Sequence, residues 1–78
     1  MGIFETVQTV ISENLDVPVE SVRSDSKASD FPAWDSVQHL VLVMDVENKF
    51  DCKFSLEEIA EMNSVERIVK AVEKRAKA

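Results

Sequence analysis

This chain predicts an all-α fold, a small four-helix bundle of three longer helices and one short helix. Three observations carry the prediction. Apolar residues recur at helical spacing in separate segments. Three of the predicted helix starts carry capping residues. One glycine and two prolines among 78 residues leave little of the turn chemistry that a β-rich fold needs.

The first helix is read over residues 3 to 15, where Ile3, Phe4, Val7, Val10, Ile11 and Leu15 follow one face. Asp16 and Val17-Pro18 should end it, because the residue before a proline is pushed out of the α region. Residues 16 to 34 are rich in Ser, Asp and Pro and have no period. They predict a long irregular connection with one short turn near Val19 to Val22. Val17, Val19 and Val22 are candidates to pin it to the core. A loop this long in so small a domain is usually functional or partly mobile.

The second helix is read over residues 36 to 50. Asp35 is its predicted N-cap, and Gln38 three residues on completes a capping box. Val37, Leu40, Met44, Glu47 and Phe50 stack along one side, while Val43 and Val46 fill another. Residues 40 to 44 are apolar all the way round. In so thin a domain this leaves some of Val37, Val41, Leu42 or Met44 exposed. Ser55 and Glu58 form a second capping box, opening a short helix to about Met62 with Leu56, Ile59 and Met62 inward. Asn63 is read as the cap of the last helix, which runs from Ser64 to about Arg75. Val65, Ile68, Val69 and Val72 form its apolar stripe, and Lys70, Lys74, Arg75 and Lys77 complement the negative end of its dipole. No linker or repeat divides the chain, so residues 1 to 78 are read as a single domain.

The formal net charge of −6 argues against nucleic acid as a partner, since backbone phosphates would be repelled. Its distribution is uneven. Residues 30 to 61 hold eight acids against Lys49 and Lys53, whereas residues 62 to 78 are net positive. An acidic patch of that kind steers basic partners. No run of apolar residues is long enough to span a membrane, and the N-terminus lacks the pattern of a secretory signal. Cys52 is the only cysteine, so no internal disulfide forms, and a reducing, cytoplasmic setting is expected.

Catalytic constellations are missing. His39 and Cys52 have no companions at metal-ligand spacing, so no metal site is predicted. His39 follows Ser36 by three residues, but no glycine turn or oxyanion hole accompanies the pair, and it is read as an exposed histidine. Asp51 beside Cys52 discourages the thiolate. The chain is therefore read as a non-enzyme without catalytic residues.

Ser36 is the candidate site. With Asp35 as cap, Ser36 takes the first helical position, its hydroxyl facing solvent at the positive end of the helix. A phosphate attached there would meet unpaired N–H groups and a favourable dipole. Around it stand Asp35-Ser36-Val37, Leu42-Val43-Met44, Glu47, Phe50-Asp51, Phe54-Ser55-Leu56-Glu57-Glu58-Ile59 and Ser64-Val65. In order and spacing the chain resembles the acyl carrier proteins over nearly its whole length.

The resemblance implies a 4′-phosphopantetheine arm, transferred from coenzyme A onto Ser36 Oγ by a phosphopantetheinyl transferase with Mg²⁺. The arm would carry acyl groups as thioesters. Asp35 would cap the helix and help position the metal and the transferase. Asp45, Glu47, Glu57, Glu58 and Glu61 would meet basic docking surfaces on acyl-loading ligases or synthases and acyltransferases. Val37, Val41 and Met44 would form the apolar centre of that surface. A monomer is expected, as is an intact fold after joint Glu47→Lys and Glu58→Lys reversal. Pro32-Ala33-Trp34 stands where the fatty-acid-synthesis carriers have a glycine before Asp-Ser. Trp-Asp-Ser is similar to stand-alone carriers of specialised lipid, polyketide, nonribosomal peptide or polysaccharide-modifying pathways. Two alternatives stand beside this: an aminoacyl or peptidyl carrier, and a helical interaction module in which Ser36 only begins a helix.

Overall fold

A computed structural model of the chain describes residues 2 to 76. It contains α1 (Ile3–Leu15), α2 (Ser36–Phe50), α3 (Leu56–Glu61) and α4 (Val65–Ala76), with 3₁₀ turns at Val19–Ser21 and Ala28–Asp30 in the α1–α2 connection. This is the expected bundle of three longer helices and one short one. Lys77, expected to face the dipole of α4, lies outside the described residues.

Helix α1 presents Val7, Val10, Ile11 and Leu15 to the core and packs against both α2 and α4. It ends in a left-handed residue, Asp16 (φ 56°), and α2 ends the same way at Asp51 (φ 52°). Glycine usually takes this position, but Asp tolerates it through its short polar side chain. The helix stop at Asp16 therefore comes from the cap itself, one residue before the influence of Pro18 begins.

The α1–α2 connection is held at several points. Gln8 Nε2 donates to Val19 O at 3.1 Å and Val22 O at 2.7 Å. Ser26 is buried, its hydroxyl accepting from Arg23 N and its carbonyl from Val65 N. Ala28 N donates to Asn63 O at 2.9 Å. Val22 is fully buried, Val17 half-buried, and Val19 exposed, so Val19 does not pin the loop. Length alone suggested mobility, whereas these bonds, some from side chains and some between distant backbone groups, replace the regular ladder that the segment lacks.

In α2 the apolar residues divide into two stripes. Leu42, Val43 and Val46 are buried, with His39 and Phe50 half-buried on the same side. Opposite them, Val37, Leu40, Val41 and Met44 are 72, 52, 47 and 61% exposed. Each set follows the i, i+3, i+4, i+7 rule for one face. The expected grouping of Phe50 with Val37 and Leu40 is therefore wrong, and Leu42 belongs inside.

Helix α3 carries the full capping box: Ser55 Oγ accepts from Glu58 N at 3.1 Å, and Glu58 Oε1 from Ser55 N at 2.8 Å. Met62 is buried and Ile59 half-buried, as expected, but Leu56 is 83% exposed. Phe54, the residue before the cap, fills that end of the core, so α3 begins outside it. Ser64, not Asn63, caps α4. Its hydroxyl accepts from Arg67 N at 3.2 Å and its carbonyl from Ile68 N at 3.0 Å. Asn63 is instead turned to the loop, its carbonyl accepting from Ala28 N. Val65, Ile68 and Val72 are fully buried, completing the core.

Candidate functional site

The candidate site is the head of α2. Asp35 is extended (φ −96°, ψ −174°), and its Oδ1 accepts from Gln38 N at 2.8 Å. Its carbonyl accepts from His39 N at 2.8 Å, the first bond of the helix. The expected capping box is only half made. Asp35 N donates to Ala33 O, and Gln38 Nε2 donates to Asn14 O at 2.9 Å. Asn14 lies in the last turn of α1, where carbonyls lack intrahelical partners. Gln38 satisfies one of them and ties the two helices together.

Ser36 is thus the first residue of α2 and is exposed, and its hydroxyl has no partner among the described residues. The first turn of α2 contains no acidic side chain. A phosphodiester on Oγ would therefore meet the free N–H end of a helix, with Asp35 Oδ1 already engaged. These features fit a covalently held phosphate ester.

His39 is not the exposed histidine the sequence suggested. It is half-buried, with Trp34 Nε1 donating to its Nδ1 at 2.9 Å and its Nε2 2.7 Å from Ile59 O. Trp34 is buried at 7% exposure, so it is a core residue. No regular spacing relates positions 34, 39 and 59, and the sequence therefore offered no signal for this cluster.

The acidic residues are deployed unequally. Glu47 Oε2 accepts from Phe54 N at 2.9 Å, bracing the α2–α3 turn. Asp45 accepts from Asn14 Nδ2 at 3.0 Å and pairs with Lys49. Glu58 is engaged with Ser55 N and with Arg75, and the Ser55 N–H and then the Arg75 guanidinium hold its carboxyl below the ordinary range. Glu57 and Glu61 are exposed. Burial, followed by the Glu47 charge, pushes the Cys52 thiol up, so the thiolate is disfavoured for a reason larger than the Asp51 neighbour. Among the described residues no cluster of His, Cys, Asp or Glu could hold a metal ion, and no helix is long and apolar enough to cross a membrane.

Comparison with known proteins points the same way. The family described as phosphopantetheine attachment site matches residues 5–72. An acyl carrier protein of Campylobacter concisus (strain 13826) is 32% identical over 77 residues, covering 99% of this chain and 100% of the relative. That of Wolinella succinogenes is 33% identical over 73 residues, 94% and 96% of the two chains. That of Thermotoga maritima is 34% identical over 73 residues, 94% and 90%.

Proposed function

The chain belongs to the acyl carrier protein family, non-catalytic carriers with covalently attached 4′-phosphopantetheine, and from that premise we propose that Ser36 bears the arm. The observation that carries this reading is the free, exposed hydroxyl of Ser36 on the first turn of α2. Ser36 Oγ attacks the coenzyme A diphosphate on the transferase, forming one Oγ–P bond as the bridging P–O bond breaks, so that adenosine bisphosphate leaves and the serine hydroxyl proton is released. The arm supplies a terminal thiol for thioester linkage, and Ser36 does no later chemistry. Asp35 keeps the helix end open and aligned, and its Oδ2 remains available to the metal of the transferase.

The exposed stripe Val37, Leu40, Val41 and Met44 is the apolar centre of the partner surface on this reading. Leu40 joins the residues expected from the sequence. Partners are the phosphopantetheinyl transferase, acyl-loading ligases or synthases, and acyltransferases with basic docking surfaces. The chain acts as one carrier domain and a monomer, in a reducing cytoplasm that keeps the arm's thiol free. Pro32-Ala33-Trp34 before Asp35-Ser36 and the wholly apolar stripe support a carrier dedicated to a specialised pathway.

Intact mass tests the assignment. After incubation with coenzyme A, Mg²⁺ and a broad-specificity transferase, the wild type is expected to gain one arm and Ser36→Ala none. No gain in the wild type would refute the carrier reading; an undiminished gain in Ser36→Ala would move the arm elsewhere.

A further inference from the structure

Trp34 and His39 flank Ser36 in the chain and are joined to each other by a hydrogen bond that carrier chemistry alone does not require. Trp34 Nε1 lies 2.9 Å from His39 Nδ1, and His39 Nε2 lies 2.7 Å from Ile59 O. These partners dictate the tautomer. An indole N–H only donates and a carbonyl only accepts, so Nδ1 is bare and Nε2 holds the hydrogen. The two rings lie 6.0 Å apart and 24° from parallel, and Phe31 backs the indole at 6.2 Å. A continuous chain of bonds therefore runs from the segment entering Ser36, through α2, to α3.

We propose that His39 is a positioning residue for the loading of Ser36, acting as a latch that holds only while the imidazole is neutral. The proposal rests on Ser36 being the loaded residue. With the latch closed, Trp34 cannot leave the core, and Asp35 and Ser36 are held between two anchored residues. A proton on Nδ1 sets N–H against N–H. The buried indole then loses its acceptor, which favours release of Trp34 and of the peptide leading into Ser36. Histidine is the side chain whose protonation changes most readily near physiological pH, so acidification is the perturbation that opens the latch.

The charged groups on the surrounding elements are engaged elsewhere or exposed. Asp35, at the head of α2, is bonded through Oδ1 to Gln38 N. On α3, Glu58 is engaged with Ser55 N and Arg75, while Glu57 and Glu61 are exposed. Among the described residues no ion pair involves His39.

Two measurements on the intact chain test the latch. Nitrogen-15 spectra at about pH 8 should show His39 as the Nε2–H tautomer. On acidification the Trp34 indole N–H should lose about tenfold of its exchange protection, the factor carried by one such hydrogen bond. His39→Gln, which can still donate to Ile59 O and cannot be protonated, should show no such step. Transferase loading is then measured on both proteins. The wild-type rate relative to His39→Gln should fall by at least about threefold between about pH 8 and about pH 5.5. An Nδ1–H tautomer, or an indole signal indifferent to protonation, overturns the latch. A closed latch with a loading ratio that is flat in pH overturns the positioning role. If neither protein is loaded at Ser36, the carrier assignment fails and the positioning role with it, while the spectra still decide the latch.

Discussion

Met44→Ala separates docking from stability on the outer face of α2. Covering a Met side chain fully contributes about 1.5–3 kcal/mol. Met44 is 61% exposed, so about 1–2 kcal/mol of that contribution is left for a partner to realise on binding. Truncation to Ala should therefore lower kcat/KM of the transferase by about 5- to 30-fold, taking tenfold per 1.4 kcal/mol. The stability loss should be about 1 kcal/mol or less, because the buried remainder is small and Ala is the better helix former. Leu42→Ala is the control: Leu42 is 0% exposed, and its truncation should cost about 2–5 kcal/mol. Urea unfolding of both variants, with steady-state loading of Met44→Ala and wild type, reads the two quantities. Should Met44→Ala lose as much stability as Leu42→Ala, the exposure argument fails. Should it be loaded as fast as the wild type, the stripe is not the transferase's docking face.

Two further outcomes follow from the charged groups. Because the folded Glu58 carboxyl titrates below its ordinary range, the unfolded chain takes up that proton first as pH falls. The stabilisation is thus complete above the ordinary glutamate range and is lost as pH drops through the folded value. Thermal unfolding across the acid range should show a shallower acid loss in Glu58→Gln, which has no carboxyl to titrate, than in the wild type, and equal slopes would contradict the assignment. Joint Glu57→Lys and Glu61→Lys reversal should slow loading at low salt and leave the helical content unchanged. The difference should shrink as salt is raised to about 1 M, where the Debye length is about 3 Å; salt-independent slowing would argue against electrostatic steering.

Helix extents were legible in the sequence because they depend on local signals. Periodicity and the end residues locate α1, and Asp35 and Ser55 locate the starts of α2 and α3. The place of Ser36 at the head of α2 was legible for the same reason. What escaped was decided by partners at spacings that no local pattern predicts. Gln38 abandons its own cap for Asn14 O, 24 residues away. His39 turns inward because Trp34 and Ile59 O both meet its ring. Residues 40 to 44 are all apolar, so pattern alone could not say which stripe of α2 was core. The packing of α1 against one side decides it.

That same distinction revises the acidic surface. Counting carboxylates along residues 30 to 61 treats them as one interchangeable rim, yet Asp45, Glu47 and Glu58 each hold hydrogen bonds inside the fold. Such groups still contribute to the field that, on the proposed reading, draws basic partners. They are not free to turn toward an incoming guanidinium without unmaking an internal bond, and for Glu47 that bond braces the α2–α3 turn. Joint charge reversal at Glu47 and Glu58 would therefore disturb the turn and the α3 cap together with the surface, contrary to the sequence-based expectation of an intact fold. Long-range attraction is thus spread over the whole acidic middle of the chain. On the proposed carrier reading, short-range contact would fall to the apolar stripe on α2 and to the carboxylates of Glu57 and Glu61 on α3, all of them exposed. A partner would recognise this chain by covering a narrow apolar ridge that starts one residue beyond Ser36, guided there by charges of which several are already committed to holding the fold.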